Sequence, residues 1–233
     1  MKVLFNADDF GLTKGVTDGI IKAHSNGVVG STTLMMNGLA VDYAIAQAKK
    51  HPFLKVGIHL VLTFGKPISN DVSKLINPSG LFKYKSTTQQ IDKTDVNQIE
   101  SEWRAQIEKF LTTGLKLDHI DSHHHVHGWE QLAEIVTKLA SEYKVPVRYV
   151  KTLSDHPEIL LTNVLWLDFY NDGVSIDIFD RIKDLNVESV EVMTHPAVID
   201  DDLRQVSSYL DKRETELEIL CSLKVPSWVD AFD

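Results

Sequence analysis

Short apolar stretches alternate with amphipathic helical stretches along this chain, and several of the apolar stretches run straight into acidic or histidine residues. That rhythm constrains the fold more than any single motif does. A parallel strand cannot return to its neighbour through a tight turn; it needs a crossover, usually a helix. The pattern predicts strands at 2–7, 32–36, 55–62, 115–120, 145–150 and 187–193, and helices at 15–26, 40–50, 96–111, 130–143, 176–185 and 202–223. The expectation is therefore an α/β fold, an irregular (β/α) TIM-like barrel forming a single domain over residues 1–233. Residues 64–95 hold Gly65, Pro67, Pro78 and Gly80 but few periodic apolar positions, and read as a long loop insertion that would serve as a lid or wall. Residues 151–175 give no assignable element.

In such folds, sites form at the carboxyl ends of the strands. The densest candidate is Asp118-His119-Ile120-Asp121-Ser122-His123-His124-His125-Val126-His127, with five of the chain's ten histidines in ten residues. Imidazole and carboxylate together suit a divalent metal. Alternate residues of an extended chain share a face, so His123, His125 and His127 cannot all be assumed to reach one ion. One or two would bind and the rest would orient, with Asp118 and Asp121 placed to hold the second ring nitrogens. Asp8 and Asp9 end the first strand. Adjacent strand residues point oppositely, so both serve one site only if the strand breaks near Ala7, as Gly11 allows. His59 lies on the opposite face from Val56, Ile58, Leu60 and Leu62. His195 follows the last strand on the face of Glu191 and Met193. Arg148, amid apolar neighbours, needs a carboxylate partner or an outlet to the edge.

Composition bounds the partners. A net charge of -9 and the lack of a basic patch argue against nucleic acid, and no apolar run approaches membrane length. The single Cys221 excludes an intramolecular disulfide framework, and the amino terminus lacks the pattern of a signal peptide, which makes a cytoplasmic location the expectation. Three metal ligands with an open water position describe a hydrolytic centre, and amide hydrolysis also needs a base for the water and an acid for the leaving amine.

The segments Asn6-Ala7-Asp8-Asp9-Phe10-Gly11, Gly57-Ile58-His59-Leu60, Asp121-Ser122-His123-His124-His125-Val126-His127 and Thr194-His195-Pro196 together resemble the YdjC-like carbohydrate deacetylases. The resemblance extends through Ser31-Thr32-Thr33 and Asn37-Gly38 to Tyr209, Arg213, Glu214 and Leu217. It is most like the chitooligosaccharide deacetylases, with Leu62-Thr63 and Gly65-Lys66-Pro67 following His59. It implies removal of acetate from N-acetylglucosamine units of short chitooligosaccharides such as diacetylchitobiose. It also implies one divalent ion (Zn, Co or Mg) on Asp9, His59 and His123, Asp8 as base and His195 as acid. His125, His127, Asp121 and Arg148 would support the ligands or touch substrate. The implied partners are a small acetylated oligosaccharide and a second copy in a homodimer. Two other readings stand beside this one: another metal-dependent hydrolase, acting on a different acetylated sugar, an amide or a phosphoester, and a non-catalytic metal- or sugar-binding protein.

Overall fold

Strand β1 (Lys2–Phe10) runs through the middle of the molecule, buried at every position after Lys2. A strand covered on both faces reads as continuous apolar sequence, and Val3, Leu4, Phe5 and Ala7 supply it. The structure, a computed structural model, describes residues 1–88, 90–230 and 232. On one side of β1 lie β2 (Val29–Leu34), β3 (Lys55–Leu60) and β4 (Ile120–Ser122); on the other lie β6 (Ser189–Thr194) and β5 (Val164–Trp166). All five pairings are parallel.

Helices α1 (Lys14–Asn26), α2 (Val41–Lys50), α3 (Val96–Leu111), α4 (Ala133–Tyr143) and α5 (Ile178–Ile182) cross between the strands, and α6 (Asp201–Val206) and α7 (Asp211–Ser222) follow β6. The crossover helices turn apolar residues inward, as Val16, Ile20 and Ala23 do in α1 and Ile99, Trp103, Ile107 and Phe110 in α3. The Thr13 hydroxyl accepts the Val16 N–H at 3.2 Å, which fixes where α1 begins just past the aspartates. Among the described residues no helix is long and apolar enough to cross a membrane.

The sheet is a curled six-stranded half-barrel, not the complete barrel that the rhythm predicts. Beyond β4, among the described residues, only single-residue bridges continue it, Ile120 to Val147 and Val147 to Leu160. The expected strand at 145–150 shrinks to this because Pro146 has no N–H to give, and past Arg148 the chain enters a 3₁₀ turn at Lys151–Leu153. The expected helix over 202–223 is two helices. Between them Ser207 Oγ accepts the Tyr209 N–H at 3.2 Å and ends α6, sending residues 207–210 across the strand ends. Strand β5, within the stretch that gave no reading, is three residues long and too short to show a period.

The loop over residues 64–95 is anchored rather than free. Glu102 on α3 is buried and accepts the Ile68 and Ser69 N–H groups, each at 2.8 Å. Ile76 and Phe82 form an antiparallel bridge within it.

Candidate active site

The two aspartates reach one site through a bulge, not through the end of the strand. Between Ala7 and Phe10, β1 takes three steps while β2 takes two, Thr32 to Leu34, so one residue is extra. Asp9 takes up the slack in the left-handed region, at φ 68°. Side chains 8 and 9, which a regular strand would send apart, both line one cavity at the carboxyl end of the sheet.

Asp9 Oδ1 lies 3.0 Å from His123 Nδ1 and 3.4 Å from His59 Nε2. Ligand atoms on a tetrahedral ion at about 2.1 Å stand about 3.4 Å from one another, so this trio has the spacing and chemistry of a metal site. The His59 ring is oriented for it. Its Nδ1 is 2.7 Å from Asp121 Oδ1, and Thr33 Oγ1 donates to Asp121 Oδ2 at 2.9 Å. This leaves Nε2 turned toward Asp9. Gly57 makes the arrangement possible: a Cβ there would sit 2.6 Å from the His119 carbonyl oxygen and keep β4, which carries Asp121, away from β3. Burial alone would lower the pKa of His59, but Asp121, followed by Asp9 and Asp8, overcomes it and pushes His59 up to about 10. Burial would raise Asp9, yet Arg213 and His123 hold it well below the usual carboxylate range.

Asp8, His59 and Asp121 form a second acidic cluster, but it already has its cation. Arg148, fully buried, donates through Nη1 to Asp8 Oδ2 and through Nη2 to Asp8 Oδ1, both at 2.6 Å. Its Nη2 is also 2.9 Å from Asp121 Oδ2, and its Nε donates to Glu191 Oε1 at 2.8 Å. A guanidinium serving three carboxylates leaves no room for an ion between them. Against the burial that would raise it, Arg148 lowers Asp8; Glu191 stays raised because its burial outweighs the same cation.

His195 follows β6, and its Nε2 faces Asp8 Oδ2 at 4.0 Å. Burial lowers His195 to about 4, against the pull of Asp8, so the resting ring is neutral. Its backbone N–H donates to Glu216 of α7, a carboxyl that burial pushes up to about 8.

The histidine run adopts neither a strand nor a regular helix. His123–Gly128 is a 3₁₀ turn in which His124 and His125 have left-handed φ of 55° and 52°. This sends the rings in different directions. His123, His124 and His125 line the cavity; His127 is buried behind it, its Nδ1 2.5 Å from Ser122 Oγ. Burial, with Arg148 adding to it, lowers His125 to about 4.

The cavity is about 580 Å³. Phe64 of the long loop stands edge-on to His123, and Tyr170 stacks on Tyr209 with ring centroids 4.2 Å apart. Both tyrosines stand edge-on to His195. Thr33, Glu191, Glu216, Tyr170, Tyr209 and Arg213 were not among the site residues read from the sequence. The last four come from irregular segments or from α7; Tyr209 and Arg213 enter the sequence reading through the family resemblance alone, with no site role, because they follow no strand end. Glu191 stands on β6 between Val190 and Val192, where a carboxylate within an apolar run was the available sign; Thr33 on β2 follows Ser31 and Thr32, among which its polarity does not stand out.

A family model described as YdjC-like protein matches residues 2–231. Among curated relatives, the carbohydrate deacetylase of Oceanobacillus iheyensis is 57% identical, with 99% of this chain and all of the relative covered. That of Brevibacillus brevis is 44% identical over 98% of this chain and 94% of its own. A solved Enterococcus faecalis protein, described provisionally as a cellobiose-phosphate cleavage protein, is 34% identical with TM-score 0.86, covering 94% of this chain and 90% of that one. A family 4 carbohydrate esterase from Streptomyces lividans, with TM-score 0.50 at 13% identity over 95% of this chain and 86% of its own, shares the fold.

Proposed function

Since the chain belongs to the YdjC-like protein family, we propose that it is a carbohydrate deacetylase that hydrolyses the acetamido group of N-acetylglucosamine units in short chitooligosaccharides. One observation carries the reading. Asp8 Oδ2 and His195 Nε2 face each other at 4.0 Å, beside the Asp9, His59 and His123 cluster and within one cavity. Amide hydrolysis needs a base, an acid and a polarising centre together, and these residues offer all three. The relatives named carbohydrate deacetylases support the class of substrate. So do the aromatic walls, because tyrosine and phenylalanine rings present apolar faces to sugar C–H groups while the Tyr hydroxyls stay polar. Among the described lining residues, Arg213 is the one lysine or arginine, and it is already paired with Asp9, which suits a neutral sugar.

A divalent ion, Zn, Co or Mg, held by Asp9, His59 and His123 would polarise the acetyl carbonyl and make the attacking water more acidic. The chain's own residues account for the proton. Asp8, ionised in the fork of Arg148, takes it from the water. With Arg148 beside it, Asp8 cannot keep that proton well, and His195 is the neutral acceptor 4.0 Å away. His195 then delivers it to the departing nitrogen. Asp121 and Thr33 keep the His59 ring fixed throughout. A cytoplasmic, homodimeric enzyme that contacts neither nucleic acid nor membrane completes the proposal.

The test is acetate release from N,N'-diacetylchitobiose by metal-stripped protein, before and after adding Zn, Co or Mg. Release restored by metal supports the reading and ranks the metals. Folded, metal-loaded protein that releases no acetate from this or any other acetylated amino sugar sinks it.

A further inference from the structure

Arg213 is a cation with one hand free. The residue is 3% exposed and lines the cavity. Its Nε donates to the Tyr209 carbonyl at 3.0 Å and its Nη2 to Asp9 Oδ2 at 2.6 Å. Its Nη1 is buried and has no partner among the described residues. A buried charged donor without an acceptor is costly, and one at a cavity wall calls for an acceptor from water or from a bound ligand. Arg148 differs, since its three nitrogens are all engaged with Asp8, Asp121 and Glu191.

The placement says what that acceptor is. Asp9 turns Oδ1 to His59 and His123 and Oδ2 to Arg213, so the guanidinium flanks the metal cluster on the side of Tyr209. The substrate proposed above is neutral. Negative charge arises on the acetyl oxygen when the carbonyl is attacked, and then on the acetate that leaves. A fixed, desolvated cationic donor acts on that charge and does little for the neutral ground state.

Resting on the deacetylase reading, we propose that Arg213 is a further catalytic residue, with Nη1 donating to the acetyl oxygen in the transition state and to the acetate product. The water oxygen bonds to the acetyl carbon, its proton passes to Asp8, and the carbonyl π pair moves onto the oxygen facing Nη1. That pair returns as the C–N bond breaks and the nitrogen takes a proton by way of His195; the acetic acid so formed gives its remaining hydroxyl proton to the amine or to solvent, leaving acetate.

The experiment compares wild type, Arg213→Gln and Arg213→Lys in two assays. The first is steady-state acetate release by metal-loaded protein, with bound metal counted. The second is acetate binding to metal-stripped protein, followed by the NMR signal of ¹³C-acetate. The expected result for Arg213→Gln is kcat lower by about 10²- to 10³-fold with KM within about threefold, and acetate binding weaker by about tenfold or more. Arg213→Lys, which retains a cation for Asp9 but lacks the fork to hold Asp9 and an open donor together, should keep full metal and still lose kcat. Unchanged kcat in both variants overturns the proposal. So does lower kcat accompanied by lost metal and unaltered acetate binding, because Arg213 would then only neutralise Asp9. A wild type inert toward every acetylated amino sugar is a different failure and removes the deacetylase reading itself.

Discussion

Replacing Arg148 by Met tests the electrostatic core of the site without relying on any bound metal. The side chain is fully buried and stands 2.6 to 2.9 Å from Asp8, Glu191 and Asp121. Met fills much of its volume but removes the charge, leaving three buried carboxyls whose remaining cation is His59, 2.7 Å from Asp121. Breaking a buried ion pair from one side costs about 3–5 kcal/mol. At about 2–4 °C per kcal/mol for a chain of this size, Tm should fall by about 6–20 °C. The pH dependence sharpens the prediction. In the native protein Asp8 and Asp121 have folded pKa values below the ordinary 3.8, so their contribution is present above that range and lost as pH falls through the depressed values. In the variant, burial is no longer offset by Arg148 and moves the Asp8 carboxyl upward, so that it destabilises the fold while ionised and relents when it takes a proton, whereas Asp121 keeps His59 as its partner. The gap in Tm between the two proteins should be widest near pH 7.5 and clearly smaller at pH 5. Thermal unfolding by circular dichroism, with chelator present in all samples, measures it. A Tm loss under about 3 °C at pH 7.5, or equal losses at the two pH values, would refute the reasoning.

Asp8→Asn should keep the full complement of metal and lose turnover by about 10²- to 10⁴-fold, as measured by metal analysis alongside acetate release; metal loss would show that the two aspartates have the opposite roles. His195→Ala should retain metal and lose more rate on amide substrates than on activated acetyl esters, whose leaving groups need no proton, so equal losses would remove His195 from the acid role. His59 at about 10 is protonated at pH 7.5 in the absence of metal, so zinc uptake by stripped protein should release a proton from it, detectable in weakly buffered dye solution. Asp121→Asn, which loosens the His59 ring, should weaken metal affinity by about 10- to 100-fold in a competition titration with a chelating dye.

The alternation of strand and helix patterns was legible because each element buries a single stripe or face, and periodicity records burial directly. It carried Asp9, His59 and His123 to one end of the sheet, and the structure gathers those three into one cluster. The helix break at 207–210 was not legible, since Ser and Tyr are tolerated inside helices and only their cross-bonding ends α6. Strand 145–150 was over-read for a related reason: Val, Tyr and Val favour extended backbone, while Pro146 and a pairing that stops with the Arg148 N–H on the Ile120 carbonyl decide how much of it joins the sheet.

The sequence by itself determined a parallel α/β sheet with its chemistry at the carboxyl ends of the strands, because polar residues stand where apolar runs stop. Tertiary structure decided how those residues face one another. The bulge that turns Asp8 and Asp9 into one cavity is a mismatch between two strands, absent from either alone. The left-handed turn at His124 and His125 separates ligand from neighbour within a run of identical residues. The counterions come from positions 148 and 213, far along the chain from the aspartates they hold. Local pattern reports which face an element buries; only the packed sheet brings charges from distant strands and helices within hydrogen-bond reach.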